Sequence, residues 1–337
     1  MMGRNFETSR RSAGEKAKPM DRVSILLSIY RPNKGYLKEQ LDSLNRQTYG
    51  NLELLVWNDC PDEAIDRELF GACITRFPVH FFDEKKNLGY VKAFEKLTAL
   101  AEGDLVSYCD QDDIWETEKI EKCVKAMHQS GAIAAVCDKS LMTADGEVYV
   151  RSARADSRKA CDHWNTGDDI TSRAAFFGYG TGMTIIADRK AVQGFLPLVP
   201  TVPHDMQLML FLSAKGKVAY VDEPLVRYRR HGKNETGMLY GVEKKRDYYE
   251  TRCKPSMDLM KRFQELFPDY PELSDMLRCA EARMKGNVPG IWKYRRMLPD
   301  LYLYEIGLAL CPDFVFRGMK NWLLRRLNKR PSQTDGE

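Results

Sequence analysis

The strongest constraint on how this chain can fold lies between Val23 and Tyr108, where four short apolar runs alternate with three stretches of helical spacing. Val23-Ser24-Ile25-Leu26-Leu27-Ser28-Ile29-Tyr30 is almost continuously apolar, the character of a parallel strand covered on both faces. Leu37, Leu41 and Leu44 then keep helical spacing, Leu52 to Trp57 reads as a second strand, and Ile65, Leu69 and Cys73 mark a second helix. Val79 to Phe82, a helix marked by Phe94, Leu97 and Ala101, and a strand ending at Tyr108 complete the series. Repeated strand–helix units predict an α/β fold with a mostly parallel central sheet flanked by helices.

Ligands bind such sheets beyond the carboxyl ends of the strands. There the four strands deliver Tyr30-Arg31-Pro32, Asn58-Asp59, Asp83 with Asn87-Leu88-Gly89, and Cys109-Asp110-Gln111-Asp112-Asp113-Ile114-Trp115. The last segment carries three carboxylates within four residues, which repel one another unless a cation holds them. One reading is an acidic loop complementing the dipole of a helix that begins near Glu116. The other is a Mg²⁺ or Mn²⁺ site shared with substrate phosphates, because hard divalent ions take oxygen ligands. Polar residues at four successive strand ends favour the second reading, and with it an enzyme.

Beyond Trp115 the pattern is mixed. Ile120, Cys123, Val124 and Met127 predict a helix, Ala132 to Cys137 a strand, and Ala144-Asp145-Gly146 a hairpin-type turn. Residues 151–170 are polar and irregular, as suits a mobile flap. Gly178-Tyr179-Gly180-Thr181-Gly182 leads into a strand from Met183 to Ile186, followed by a helix from Asp205 to Ala214 and a strand from Val218 to Val221. From about Tyr240 onward the chain reads as helices rich in Tyr, Arg, Leu and Met.

The turn after the first strand excludes two nucleotide-binding classes. Arg31-Pro32-Asn33-Lys34-Gly35 is neither a G-x-G-x-x-G turn nor a P-loop. Asp59 could accept a hydrogen bond from a pyrimidine imide with Tyr30 stacked on the base, or be a helix-terminal Asp beside a core Tyr. Gly89, after Asn87, either closes a plain turn or lets the backbone approach a nucleotide. Asp205 is a helix N-cap or a general base. In Tyr228-Arg229-Arg230-His231-Gly232-Lys233-Asn234 an imidazole stands among three cations that could neutralise a departing diphosphate.

With 43% hydrophobic and 30% charged residues the composition is that of a soluble globular protein, and a net charge of +4 is too small to argue for nucleic acid. Nine cysteines without a CxxC pair read as buried thiols of a reducing cytosol. Residues 1–20 are polar and basic and read as a disordered leader without a secretory core.

These residues in this order resemble family-2 inverting glycosyltransferases of the GT-A fold, and among them the rhamnosyltransferase-like enzymes of bacterial surface-polysaccharide synthesis. The resemblance spans residues 22–237 and is carried mainly by Asp110 to Trp115 and Tyr228 to Asn234, with Asn87-Leu88-Gly89 and Pro203-His204-Asp205 in support. It implies a catalytic domain at 21–237 and a helical C-terminal extension at 238–337. It implies that Ser28, Tyr30 and Asp59 hold the nucleoside and that Asn87, Gly89 and Lys92 line the nucleotide-sugar pocket. Asp110 and Asp112 match the family's Asp-x-Asp motif, with Asp112 and His231 as ligands of Mg²⁺ or Mn²⁺ and Asp110 on ribose or metal. Asp205 matches the catalytic base, and Thr181-Gly182-Met183-Thr184 the segment that shapes the sugar and acceptor pocket. Many relatives carry Glu-Asp where this chain has His204-Asp205. The implied donor is dTDP-L-rhamnose or a UDP-hexose, and the implied acceptor a saccharide or lipid-linked saccharide. A metal-dependent nucleotidyltransferase and an inactive sugar-nucleotide-binding protein are the competing classes.

Between Trp292 and Arg330 aromatic and aliphatic residues interleave with basic ones, broken by Pro299, Asp300, Glu305, Pro312 and Asp313, too interrupted to span a bilayer. Such helices suit an anionic membrane surface, which would place the enzyme in the cytoplasm at the inner face of the membrane. Packing of the same helices on the catalytic domain is the alternative.

Overall fold

A computed structural model describes residues 20–231 and 242–313, together with 315, 316 and 318. The leader of residues 1–19, Gly232-Lys233-Asn234 and residues 319–337 lie outside the described residues. Strands β1 (Val23–Ile29), β2 (Leu52–Asn58), β3 (Val79–Asp83) and β4 (Leu105–Cys109) alternate with helices α1 (Lys34–Asn45), α2 (Arg67–Cys73) and α3 (Tyr90–Leu100) as the periodicity predicts. There follow β5 (Ile114–Trp115), α4 (Lys119–Ser130), β6 (Ala134–Met142), β7 (Val148–Val150), β8 (Ile185–Asp188), a helix at His204–Lys215 and β9 (Val218–Arg229).

One sheet runs in the order β3-β2-β1-β4-β8-β6-β9-β5, with β7 paired to β6. The β3-β2-β1-β4 half is wholly parallel. The other half is mixed: β8 is antiparallel to both β4 and β6, β5 is antiparallel to β9, and β9 is parallel to β6. The β6–β7 hairpin turns at Ala144-Asp145-Gly146, where Gly146 takes the positive φ of 88° that the turn requires.

Alternate residues of the central strands feed opposite faces. Ile25, Leu27, Leu54 and Val56 pack with Leu41 of α1 and Cys123 of α4 on one side. Leu26, Leu55, Val106 and Tyr108 pack with Phe94 of α3 and Phe211 on the other. The helices Lys254–Leu266 and Leu273–Lys285 bring Leu259, Phe263, Met276 and Cys279 into this second cluster, so the C-terminal region shares the hydrophobic core of the sheet.

Three expectations are corrected. β9 runs on to Arg229, well past Val221, because a bulge opposite Cys137-Asp138-Lys139 absorbs Asp222 and Glu223, and Pro224 is tolerated there. The segment after Thr181 starts as a 3₁₀ turn at Gly182–Thr184, so its strand is Ile185–Asp188. Residues 151–170 are packed rather than free: Trp164 and Ile170 are core residues, and Asp300 accepts the N–H groups of Ala160 (2.8 Å) and Cys161 (3.0 Å).

Candidate active site

The acidic loop leaves β4 at Cys109, and each of its residues has a separate task. Gln111 clamps the end of β1, accepting the Tyr30 N–H at 2.9 Å and donating to the Tyr30 carbonyl at 3.1 Å. This leaves the Tyr30 ring 42% exposed at the edge, with Arg31 in the left-handed region at φ 43°. Asp113 is fully buried and accepts the Arg229 N–H at 2.9 Å. Burial and the neighbouring Asp110 and Asp112 push the Asp113 carboxyl above its ordinary range, against the pull of the Arg229 N–H. Asp112 points the other way: its Oδ2 stands 2.7 Å from His231 Nε2.

Arg229 explains why the loop holds this shape. Its guanidinium, 1% exposed, donates to the Asp112 carbonyl and to the Ala144 carbonyl, both at 2.8 Å, and pairs with Glu39. It also stacks over Tyr36, whose ring in turn faces His231 at 5.8 Å. Read in sequence as one of three cations for a diphosphate, Arg229 is instead a buried clamp on the acidic loop. Arg230 is exposed, and Lys233 lies outside the described residues.

Asp205 occupies the first turn of the helix His204–Lys215, whose N-cap position is Pro203, so the carboxylate is not the cap. Its Oδ2 accepts the Gly182 N–H at 3.3 Å and its Oδ1 the Met206 N–H at 2.8 Å. Gly182 has to be glycine for this approach, because a Cβ there would lie 2.7 Å from His204 Nε2. His204 itself is an aromatic packing residue, stacked on Phe94 at 4.3 Å and tilted against Tyr108 at 5.2 Å. Burial holds its imidazole below the ordinary 6.5, against the pull of Asp205.

Asp110 joins the two groups. Burial, then the charges of Asp112 and Asp205, raise its carboxyl to about 7, with Lys139 opposing. Lys139, on β6, hydrogen-bonds Thr181 and lies 5.3 Å from the Tyr228 ring centre. Sequence reasoning missed it, because a lysine inside a strand carries no local signal. Only the β6–β9 bulge and the Thr181 segment place it among the acids.

The remaining candidates form a second group. Asp59 is buried and accepts Leu88 N–H and Gly89 N–H, both at 2.8 Å, while Asn87 accepts the Gly89 N–H at 2.9 Å. The carboxylate thus shapes the turn in which Gly89 adopts φ 77°. Ser28 is half-buried on β1 beside Trp57 of β2. Lys92 turns to Glu95, bonding both carboxylate oxygens at 2.8 Å. The structure therefore gathers Asp110, Asp112, Asp205 and His231 at one edge, holds Tyr30 to it through Gln111, and ties Lys92 to its own helix.

Among the described residues no group of three His, Cys, Asp or Glu side chains could by itself hold a metal ion. Asp112 and His231, already in contact, supply one carboxylate and one imidazole. That pair fits an ion such as Mg²⁺ or Mn²⁺, which keeps waters and takes its other ligands from substrate phosphates.

A parallel half-sheet joined to a mixed half, with an acidic loop and a facing carboxylate at its edge, defines a glycosyltransferase of the GT-A fold. Residues 24–178 match the model of Glycosyl transferase family 2, so this part of the chain is a domain of that family. It is 26% identical over 211 residues to the putative teichuronic acid biosynthesis glycosyltransferase TuaG of Bacillus subtilis, covering 61% of this chain and 78% of that protein. An uncharacterized glycosyltransferase of Haemophilus influenzae is 25% identical over 227 residues, covering 66% and 69% of the two chains. Among solved structures, S. aureus TarS 1-349 in complex with UDP-GlcNAc shares the fold with a TM-score of 0.55 at 14% identity, over 94% of this chain and 95% of that one. The mannosyltransferase PcManGT of Pyrobaculum calidifontis, in complex with GDP-Man and Mn²⁺, gives 0.53 at 14% identity, over 92% and 81%.

Proposed function

We propose that the chain transfers a sugar, with inversion, from a nucleoside-diphosphate donor to a hydroxyl of a saccharide or lipid-linked saccharide in cell-surface polysaccharide synthesis. The observation that carries this reading is the Asp112–His231 pair at the sheet edge, with the Asp110 carboxyl near enough to both Asp112 and Asp205 to feel their charges. Asp112 and His231 would hold Mg²⁺ or Mn²⁺, which when bound supplies positive charge to the leaving diphosphate. Tyr30, Ser28 and the Asp59–Gly89 turn form the nucleoside side. Asp205 takes the proton from the acceptor hydroxyl as its oxygen bonds the anomeric carbon and the bond to the diphosphate oxygen breaks. Holding donor and acceptor in line supplies much of the remaining acceleration.

The rhamnosyltransferase-like motifs at Asp110 to Trp115 and Tyr228 to Asn234 support dTDP-L-rhamnose as donor. A UDP-hexose is the second reading, since TarS 1-349, of the same fold, forms a complex with UDP-GlcNAc. Release of nucleoside diphosphate across UDP-, GDP- and dTDP-sugars decides between them. Asp205→Asn is expected to cut kcat by at least about a hundredfold with donor affinity kept, as befits loss of a general base. Pyrophosphate as the product, or a lost donor affinity with unchanged kcat, would overturn the scheme.

Membrane-surface docking belongs to the same proposal. Trp292, Leu303 and Leu310 are 53%, 66% and 70% exposed, and the Arg295 guanidinium lies 4.7 Å from the Trp292 ring centre. Apolar side chains beside cations suit an anionic surface that presents a lipid-linked acceptor. No described helix is long and apolar enough to cross a membrane.

A further inference from the structure

We propose that Glu95, on α3, is a positioning residue for the base: it holds residues 196–203 in place and, through them, the first turn of the helix that carries Asp205. The proposal rests on the glycosyltransferase reading above and adds to it a residue outside both the acidic loop and the base helix.

The start of the base helix has little of its own to fix it. Its N-cap position is Pro203, with no side-chain cap, so its first N–H groups lack the acceptor that a Ser, Thr or Asp would bring. The stretch before it, residues 196–203, forms neither strand nor helix. Pro197, Pro200 and Pro203 remove a backbone donor at every third position there. A segment of this kind cannot join a ladder, and side chains around it have to set its place.

Glu95 supplies the link to α3. Its side chain is 14% exposed, and its carboxylate accepts the Leu198 N–H at 2.8 Å. Lys92 Nζ balances the charge, 2.8 Å from both oxygens. A charged acceptor makes the Leu198 bond stronger than a neutral one. From the next residue the connection passes to the base helix through Gln207, which is fully buried. Gln207 accepts the Val199 N–H at 2.8 Å and donates to the carbonyls of Val199 (2.9 Å) and Val202 (2.8 Å). Arg262 holds the other end of the segment, donating to the carbonyls of Phe195 (3.2 Å) and Leu196 (2.9 Å). Phe94, next to Glu95, meets the base helix directly by stacking on His204 at 4.3 Å. Two consecutive residues of α3 thus locate the start of that helix, one through the Leu198 backbone and one through the His204 ring. Because α3 begins at the Gly89 turn that Asp59 shapes, the Glu95 contact sets the base relative to the donor side.

The test compares two variants of the full-length protein: Glu95→Gln, which keeps an acceptor for the Leu198 N–H, and Glu95→Met, which removes it. Hydrogen exchange read by mass spectrometry needs no substrate. Peptides covering residues 196–207 should exchange at least about fivefold faster in Glu95→Met and near the wild-type rate in Glu95→Gln, with those of β1 and β4 unchanged in both. Nucleoside diphosphate release from the sugar nucleotide that turns over should show kcat lowered about tenfold or more in Glu95→Met and within about threefold of wild type in Glu95→Gln. UDP and dTDP should bind both variants no more weakly than the wild-type chain. A merely structural role would instead lower nucleotide affinity and kcat together and raise exchange throughout the chain, and that result overturns the proposal. So do unchanged exchange at residues 196–207, equal effects of the two substitutions, or wild-type kcat in Glu95→Met where Asp205→Asn is impaired. If Asp205→Asn itself keeps wild-type kcat, the base reading fails, while a local, Gln-rescued exchange pattern still upholds Glu95 as the anchor of this helix.

Discussion

At the residue scale the site depends on a few side chains whose protonation and size are set by neighbours. His204 is the clearest case. Its folded pKa lies below the ordinary 6.5 because it is buried against aromatic rings, so the unfolded chain binds a proton that the folded chain refuses. Its contribution to stability is full above about pH 6.5 and is lost as pH falls below that value. His204→Phe keeps the packing and removes the proton, and should shrink the fall in Tm between about pH 7.5 and about pH 5.5. An equal fall in both proteins would show that His204 carries none of the acid sensitivity. The same contact makes Gly182→Ala a sharp probe. The added methyl has to displace His204 or the backbone that bonds Asp205, so kcat should drop while nucleotide affinity holds. Wild-type kcat would show that the Gly182–Asp205 contact does not position the base.

At the scale of elements, the acidic loop is shaped by β9 and by the β6–β7 hairpin as much as by its own residues. Arg229 reaches the loop, the hairpin turn and α1 from the end of β9. Arg229→Met leaves the Asp112 and Ala144 carbonyls without a buried donor. Glu39 is half exposed and returns to solvent, but leaving buried acceptors unpaired costs about 1–3 kcal/mol, and urea unfolding is expected to read a loss of that order. A change below about 1 kcal/mol, the size of an exposed ion pair, would reduce Arg229 to a surface contact. A parallel argument applies to the turn before α3. Asp59→Ala removes the acceptor of two N–H groups, and donor KM should rise as the Gly89 turn loosens. Unchanged KM would separate that turn from donor binding.

At the scale of the molecule, the C-terminal helices are part of the hydrophobic core of the sheet. Arg283 and Glu305, each 3% exposed, are joined by bonds of 2.7–3.0 Å, and Glu305 also accepts from Tyr248 at 2.8 Å. Ile291, Tyr294, Leu298 and Leu301 pack into the cluster that includes Phe211. Deleting residues 290–337 should therefore abolish cooperative unfolding, and cannot serve as a test of membrane docking. Replacing Trp292, Leu303 and Leu310 together by Ser removes side chains that are more than half exposed, at the cost of the Trp292–Tyr302 edge contact. That variant should lose sedimentation with anionic liposomes at low salt while Tm stays within a few degrees. Equal sedimentation of both proteins would remove the membrane from the proposal.

The sequence by itself determined the parallel half of the sheet, because strands covered on both faces and helices with one buried side leave periodic apolar signatures that need no partner to be read. It also placed Asp110, Asp112, Asp205 and His231 on loops and element ends, where chemistry-bearing residues break those periods. Other features were decided only in three dimensions. β9 continues past Asp222-Glu223-Pro224, a strand breaker in sequence, because β6 offers a bulge to absorb it. Arg229 is a clamp and Lys139 a neighbour of the acids because residues far apart in sequence surround them. The polar stretch at 151–170 is held in place by Asp300, well over a hundred residues away. Local patterns record which face of an element is buried; the tertiary structure alone decides which charged groups end up close enough to change one another's state.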